Sequence, residues 1–152
     1  MNRADRKLLE LMQSDVDLPV RKLAEKVGLS TTACWNRIRR MEEAGVITKR
    51  VALVDPARVG VGLCVFVSIR TREHSSEWLA GFAERVAAMP EVVEFYRMAG
   101  DVDYMLRVLV PDMIAFDQFY KNLIKDTSLA DVTSRFAMEL IKHTTAVPIP
   151  PG

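Results

Sequence analysis

Thr32, Asn36, Arg39 and Arg40 fall on one side of the segment Leu29–Ile47, LSTTACWNRIRRMEEAGVI, and can all bond to base edges or phosphates. An asparagine can bond bidentately to adenine and an arginine to guanine, each worth ~1–3 kcal/mol of discrimination. The other side of the segment carries Cys34, Ile38, Met41 and Gly45 at i, i+4, i+7 and i+11, the spacing of one buried helix face. Ser30 suits the N-cap, and with Thr31 it stands where backbone N–H groups can hold a phosphate. Arg37 points to a flank, fit either to bind phosphate or to brace the fold. Trp35 sits at the edge of the apolar stripe, where core packing and groove contact are both open. A solvated helix face is the plain alternative for the whole set, and the preceding residues weigh against it. Pro19–Val27 reads as a short helix joined to this one by a tight Gly28–Leu29 turn, which makes a helix-turn-helix.

A second group worth chemistry is Gly100–Asp101–Val102–Asp103. Gly–Asp is good turn chemistry in itself. Asp103 is less expected, because it opens an apolar strand and a carboxylate there needs a partner. The ammonium group of a ligand would serve, as would Arg97 or Arg107. Catalytic signals are missing: the sequence has no nucleophile elbow, no Walker loop and no metal-ligand cluster. His74 and His143 have no evident catalytic partner. Cys34 and Cys64 lack ligand spacing to a histidine and read as structural thiols. A non-enzyme that needs no cofactor or metal is expected.

The elements that must position these residues follow from periodicity. Asp5–Gln13 reads as a first helix, with Leu8, Leu9 and Met12 on one side. Pro19 opens the second, where its missing N–H costs little. Val46–Val54 is β-prone, a wing or a strand leading out. Asp55–Pro56, Gly60 and Gly62 mark a linker, which divides the chain into residues 1–54, a linker 55–62 and a second domain 63–152. In that domain Leu63–Thr71 is a strand, Glu77–Met89 a helix with Trp78, Phe82, Val86 and Met89 inward, and Val92–Met98 and Val102–Val110 a hairpin. A further helix opens at Pro111–Asp112 with Ile114, Phe116, Phe119, Leu123 and Ile124 mostly inward, and Asp131–Ile141 is the last strand. The order βαββαβ is the ferredoxin-like split βαβ, an α/β arrangement with both helices on one sheet face. The apolar residues of the other face suggest a partner subunit. The tail VPIPPG is too proline-rich for a helix and reads as an extended arm.

Charge and hydropathy agree with this division. Of 152 residues, 49% are hydrophobic, enough for one ordinary domain or two small ones. The first 60 residues hold 12 Lys/Arg against 8 Asp/Glu and the rest hold 9 against 12, so a net +1 hides +4 beside −3. A positive half gains from counterion release beside a polyanion. No apolar run reaches the ~18–20 residues of a membrane helix, and the amphipathic start lacks a signal-peptide core, so a cytoplasmic protein with no membrane partner is expected.

Taken in order, the Leu29–Ile47 segment, Gly100–Asp101–Val102–Asp103–Tyr104 and Lys142–His143–Thr144–Thr145–Ala146–Val147–Pro148 resemble the Lrp/AsnC, or feast/famine, transcription regulators over nearly the whole chain. The resemblance implies an N-terminal winged helix-turn-helix that binds double-stranded DNA as part of a dimer. The residues read above, Ser30, Thr31, Thr32, Trp35, Asn36, Arg37, Arg39 and Arg40, are its candidate contacts, and two-fold symmetry predicts a pseudo-palindromic operator. It implies a second domain that forms homodimers, and from them tetramers or octamers. An amino-acid effector would bind at Gly100, Asp101, Asp103 and Ser134. The family usually carries two hydroxyl residues two apart in the last strand, and here the first position is Val132 and the second Ser134. A ligand-independent DNA-bridging architectural protein is the alternative of another class.

Overall fold

The computed structural model describes residues 1–73, 75–125 and 127–151, so His74, Asp126 and Gly152 lie outside the described residues. The chain forms two compact units, Met1–Ala52 together with Ile141–Gly152, and Leu53–Leu140. The tail assigned from sequence to the second domain therefore belongs with the first unit.

The first unit is three helices, α1 (Arg3–Ser14), α2 (Val20–Val27) and α3 (Thr31–Glu43). α1 starts two residues earlier than its periodicity indicates, because Asn2 and Asp5 form a reciprocal capping box with both bonds at 3.0 Å. Pro19 is the N-cap of α2 and not its first helical residue. Gly28 ends α2 in the left-handed region at φ 69°, and its N–H closes on the Ala24 and Glu25 carbonyls. That tight stop lets Ser30 begin α3 at once, its Oγ accepting from the Ala33 N–H at 3.2 Å. Leu8, Leu9, Leu23, Ala24, Cys34, Ile38 and Met41 form one buried core. The segment expected to form a wing or a strand leading out, Val46–Val54, is irregular here. A strand needs a neighbour for its backbone groups, and the described residues of this unit include no other strand. Ile47 packs on the core, while Val51, Leu53 and Val54 stay exposed.

The second unit runs β1 (Leu63–Thr71), α4 (Ser76–Ala87), β2 (Val92–Arg97), β3 (Tyr104–Val110), α5 (Met113–Ile124) and β4 (Leu129–Phe136). Its antiparallel sheet has the order β2-β3-β1-β4, with β1 central between β3 and β4. Alternation places Val65, Val67 and Ile69 beside Leu106, Val108 and Val110 on one face. There they pack with Phe82 and Val86 of α4 and Phe116, Phe119 and Leu123 of α5. The opposite face presents Phe66 and Tyr96, both exposed, with Cys64, Met105 and Leu109 half-buried. Ile114, expected inward, is 73% exposed. It stands two residues, or about 200° of helix, from the buried Phe116. β4 begins before Asp131 and stops well short of Ile141. Its partner sets the limit: Phe136 lies opposite Val65, the Ala137 N–H reaches the Cys64 carbonyl, and β1 begins one residue further on. Met138, Leu140 and Ile141 are thereby left exposed. No helix among the described residues is long and apolar enough to cross a membrane.

Candidate functional site

The α3 face forms as its periodicity requires. Cys34, Ile38 and Met41 are buried, and burial pushes the Cys34 thiol pKa up, which suits an unreactive core group. Ser30, Thr31, Thr32, Trp35, Asn36, Arg39 and Arg40 are all exposed. Trp35 is thus a surface residue, 49% exposed, with the Arg39 guanidinium 5.4 Å from its ring centroid. Arg39 Nε also donates to Glu43 at 2.8 Å, one turn on, so its planar group is held over the indole. Arg37 takes the bracing role: its guanidinium lies 2.8 Å from Asp5, both groups partly buried, and pins α3 to α1. Burial alone would raise the Asp5 pKa, but the Asn2 N–H and the Arg37 guanidinium outweigh it and hold it below the ordinary range.

Arg50 was not singled out from sequence. It bonds to Glu42 at 2.6 Å and lines a cavity of about 290 Å³ with Val20, Trp35, Ile38, Arg39 and Glu42. Its place in the β-prone run gave no sign that the chain would fold back beside α3.

Gly100, Asp101 and Asp103 come together in the β2–β3 turn, with Gly100 at φ 130°, a conformation L side chains rarely adopt. Asp103 finds neither of the arginines considered for it. Its Oδ2 accepts from the Thr71 N–H at 2.6 Å and lies 3.3 Å from the Thr71 hydroxyl, at the end of β1. Arg107 pairs with Glu94 at 2.7 Å instead. Ser134 is not part of this turn within one chain. It lies opposite Val67, whereas the row next to the turn is Val132–Ile69–Tyr104, across β1. The position where the resemblance leads one to expect a hydroxyl, Val132, is therefore the one in the nearer row.

A larger recess of about 490 Å³ lies along α4, lined by Glu73, Trp78, Phe82, Arg85 and Thr127 among others. Trp78 stacks on Phe82 with centroids 5.0 Å apart, and Phe82 touches Tyr104 at 5.3 Å, the residue after Asp103. Arg85 closes the end of α5 through the Leu123 and Lys125 carbonyls. No group of three or more His, Cys, Asp or Glu among the described residues is arranged to hold a metal.

A capped helix-turn-helix beside a βαββαβ unit with a structured Gly–Asp turn is the build of a two-domain, ligand-responsive DNA-binding regulator. Residues 1–48 match the winged helix-turn-helix DNA-binding model, and residues 64–147 match the Lrp/AsnC ligand binding domain. The chain belongs to the Lrp/AsnC family of transcription regulators. It is 51% identical over 150 residues to the DNA-binding transcriptional activator DecR of Escherichia coli K12, covering 98% of this chain and 99% of that one. It is 48% identical over 146 residues to the glutamate uptake regulatory protein of Zymomonas mobilis, covering 96% and 89%. An AsnC family transcriptional regulator from Agrobacterium tumefaciens superposes with a TM-score of 0.94 at 60% identity, covering 97% of both chains. A Neisseria meningitidis regulator solved as an L-Met complex gives 0.92 at 32% identity, covering 97% of this chain and 96% of that one.

Proposed function

We propose that this regulator binds a pseudo-palindromic DNA site as a homodimer, and that an amino acid held at the Gly100–Asp103 turn alters its assembly or its affinity for DNA. The exposed α3 face carries the DNA half of this reading. Thr32, Asn36, Arg39 and Arg40 project from a helix whose opposite side is buried, so base and phosphate contact needs no rearrangement of the core. Ser30 and Thr31 at the helix start supply backbone N–H groups for a phosphate, and Trp35 adds an indole edge. Arg37, committed to Asp5, serves by fixing the angle of α3.

Dimerisation is supported by the uncovered sheet face, where Phe66, Tyr96, Met105 and Leu109 offer an apolar patch flanked by Arg107 and Arg135. Two-fold symmetry then favours half-sites one or more helical turns apart. The amino-acid reading draws on the names of the glutamate uptake regulator and the L-Met complex, together with the Gly100–Asp103 turn, whose Gly100 at φ 130° suits only glycine.

Thermal melting of the full-length protein against a panel of L-amino acids tests the effector half, because a ligand bound only by the folded state raises Tm. A rise with one or a few amino acids, with a changed footprint on the operator at the same concentration, is the expected result. Operator binding with no amino acid changing melting, assembly or footprint would transfer the protein to the ligand-independent DNA-bridging class.

A further inference from the structure

We propose that Asp103 is a positioning residue. Its carboxylate fixes the Gly100–Asp101 turn against the end of β1 and leaves Asp101 as the carboxylate that meets the ammonium group of an amino acid. The second clause rests on the effector reading above, and the first does not.

Backbone accounting carries the argument. The paired register of β1 and β3 ends at Ile69 opposite Tyr104. One step beyond, the Asp103 N–H donates to the Ile69 carbonyl at 2.9 Å, and its own carbonyl accepts from the Met98 N–H at 2.8 Å. The Thr71 N–H then lies past the last backbone acceptor that β3 supplies, and Thr71 is 7% exposed. A buried amide without an acceptor is costly, and the Asp103 Oδ2 at 2.6 Å provides one. One residue thus joins the ends of β1, β2 and β3 by both main-chain groups and its side chain. Thr71 extends the link: its Oγ lies 3.1 Å from the Glu73 carbonyl, at the rim of the α4 recess. A carboxylate pointing back into the sheet this way is not presented to a ligand. Asp101 is exposed and forms no side-chain hydrogen bond or ion pair among the described residues.

Three variants of the full-length protein separate the roles: Asp103→Asn, Asp103→Ala and Asp101→Asn. Each is melted alone, then titrated at a temperature where all are folded with whichever of L-methionine, L-glutamate or the other panel amino acids moves the wild type most. The Asp103→Asn amide oxygen still accepts from Thr71, so the half-saturating concentration should stay within about twofold of wild type, whereas Asp103→Ala should raise it about tenfold or more. Asp103→Ala should also melt several degrees lower and lose hydrogen-exchange protection at the Thr71 amide. Asp101→Asn should melt as wild type and lose the response. A wild-type melt for Asp103→Asn combined with loss of response would make Asp103 a charged ligand contact and overturn the proposal, as would an unchanged melt and unchanged Thr71 protection in Asp103→Ala. If no amino acid affects the wild type, the effector reading fails, and the clamp still stands or falls on the Asp103→Ala melt and Thr71 exchange.

Discussion

Gln13 holds the backbone of Val147 by both ends of its amide: Nε2 donates to the Val147 carbonyl at 3.1 Å, and Oε1 accepts from the Val147 N–H at 2.5 Å. A side chain at the end of α1 thereby acts as a one-residue strand for a segment 134 positions away. Two residues on, Ile149 packs against the core of the first unit. The C-terminal arm is part of the helix-turn-helix unit, and the chain between Leu53 and Leu140 is in effect inserted into it.

Gln13→Ala should therefore weaken the first unit by about 1–2 kcal/mol, the range for losing two partly exposed hydrogen bonds. Ending the chain after Leu140 should cost more, since it also exposes the surface that Ile149 covers. Urea melts followed by the fluorescence of Trp35 in a Trp78→Phe background, where it is the remaining tryptophan, measure both. Coincident melts for the truncated and full-length chains would show the arm to be a bystander.

The Asp5–Arg37 pair should make the first unit sensitive to acid. Asp5 has a lowered pKa in the fold, so its contribution is present above the unfolded value of about 3.9 and is lost as pH falls through the folded one. Asp5→Asn should cost on the order of 1–2 kcal/mol near neutral pH, with the gap to wild type narrowing as pH falls below the unfolded value. Chemical denaturation from neutral pH into the acid range checks this, and a gap that does not narrow at all as pH falls would assign the loss to packing.

Which parts were legible in the sequence follows from range. α3 was readable because a cap and a 3.6-residue stripe lie within one short segment, and Ser30, Cys34, Ile38 and Met41 take the expected places. Gly45, expected on the buried face by its spacing, instead lies just past the helix end, exposed and at φ 70°. The βαββαβ order was readable for the same reason. Partners set by distant chain were not. β4 ends where β1 runs out, Asp103 pairs with Thr71 and not with either hairpin arginine, and the arm returns to Gln13. None of these leaves a local periodicity. Ile114 was misplaced for a different reason: it is apolar in a largely apolar helix, and only the angle to Phe116 sets it outside.

Gly45→Ala should destabilise the first unit by about 1 kcal/mol without disturbing packing. Gly45 lies at φ 70°, where an L residue is strained, yet a Cβ there meets nothing within 4 Å. The cost is therefore conformational, at the turn where the Val46 N–H closes on the Met41 carbonyl at 2.8 Å. Asparagine tolerates this region better, so Gly45→Asn should recover part of the loss. Equal melts for glycine and alanine would mean that the end of α3 relaxes freely.

The DNA face can be tested through salt. Arg39 and Arg40 are exposed cations on the outer side of α3, and each phosphate contact adds about 0.9 to the slope of log affinity against log salt. Arg39→Ala with Arg40→Ala should weaken operator binding and lower that slope by roughly one unit or more per protomer. Trp35→Ala should act differently. It removes the ring beneath Arg39 and leaves the charge in place, so the slope should hold while discrimination between operator and random DNA falls. Glu43→Gln frees Arg39 from its intrahelical partner and should instead raise affinity for random DNA by a few fold, since an exposed i,i+4 pair is worth only about 0.3–0.5 kcal/mol. Anisotropy titrations at three salt concentrations separate the three outcomes, and an unchanged slope in the double arginine variant would move the interface off this face of α3.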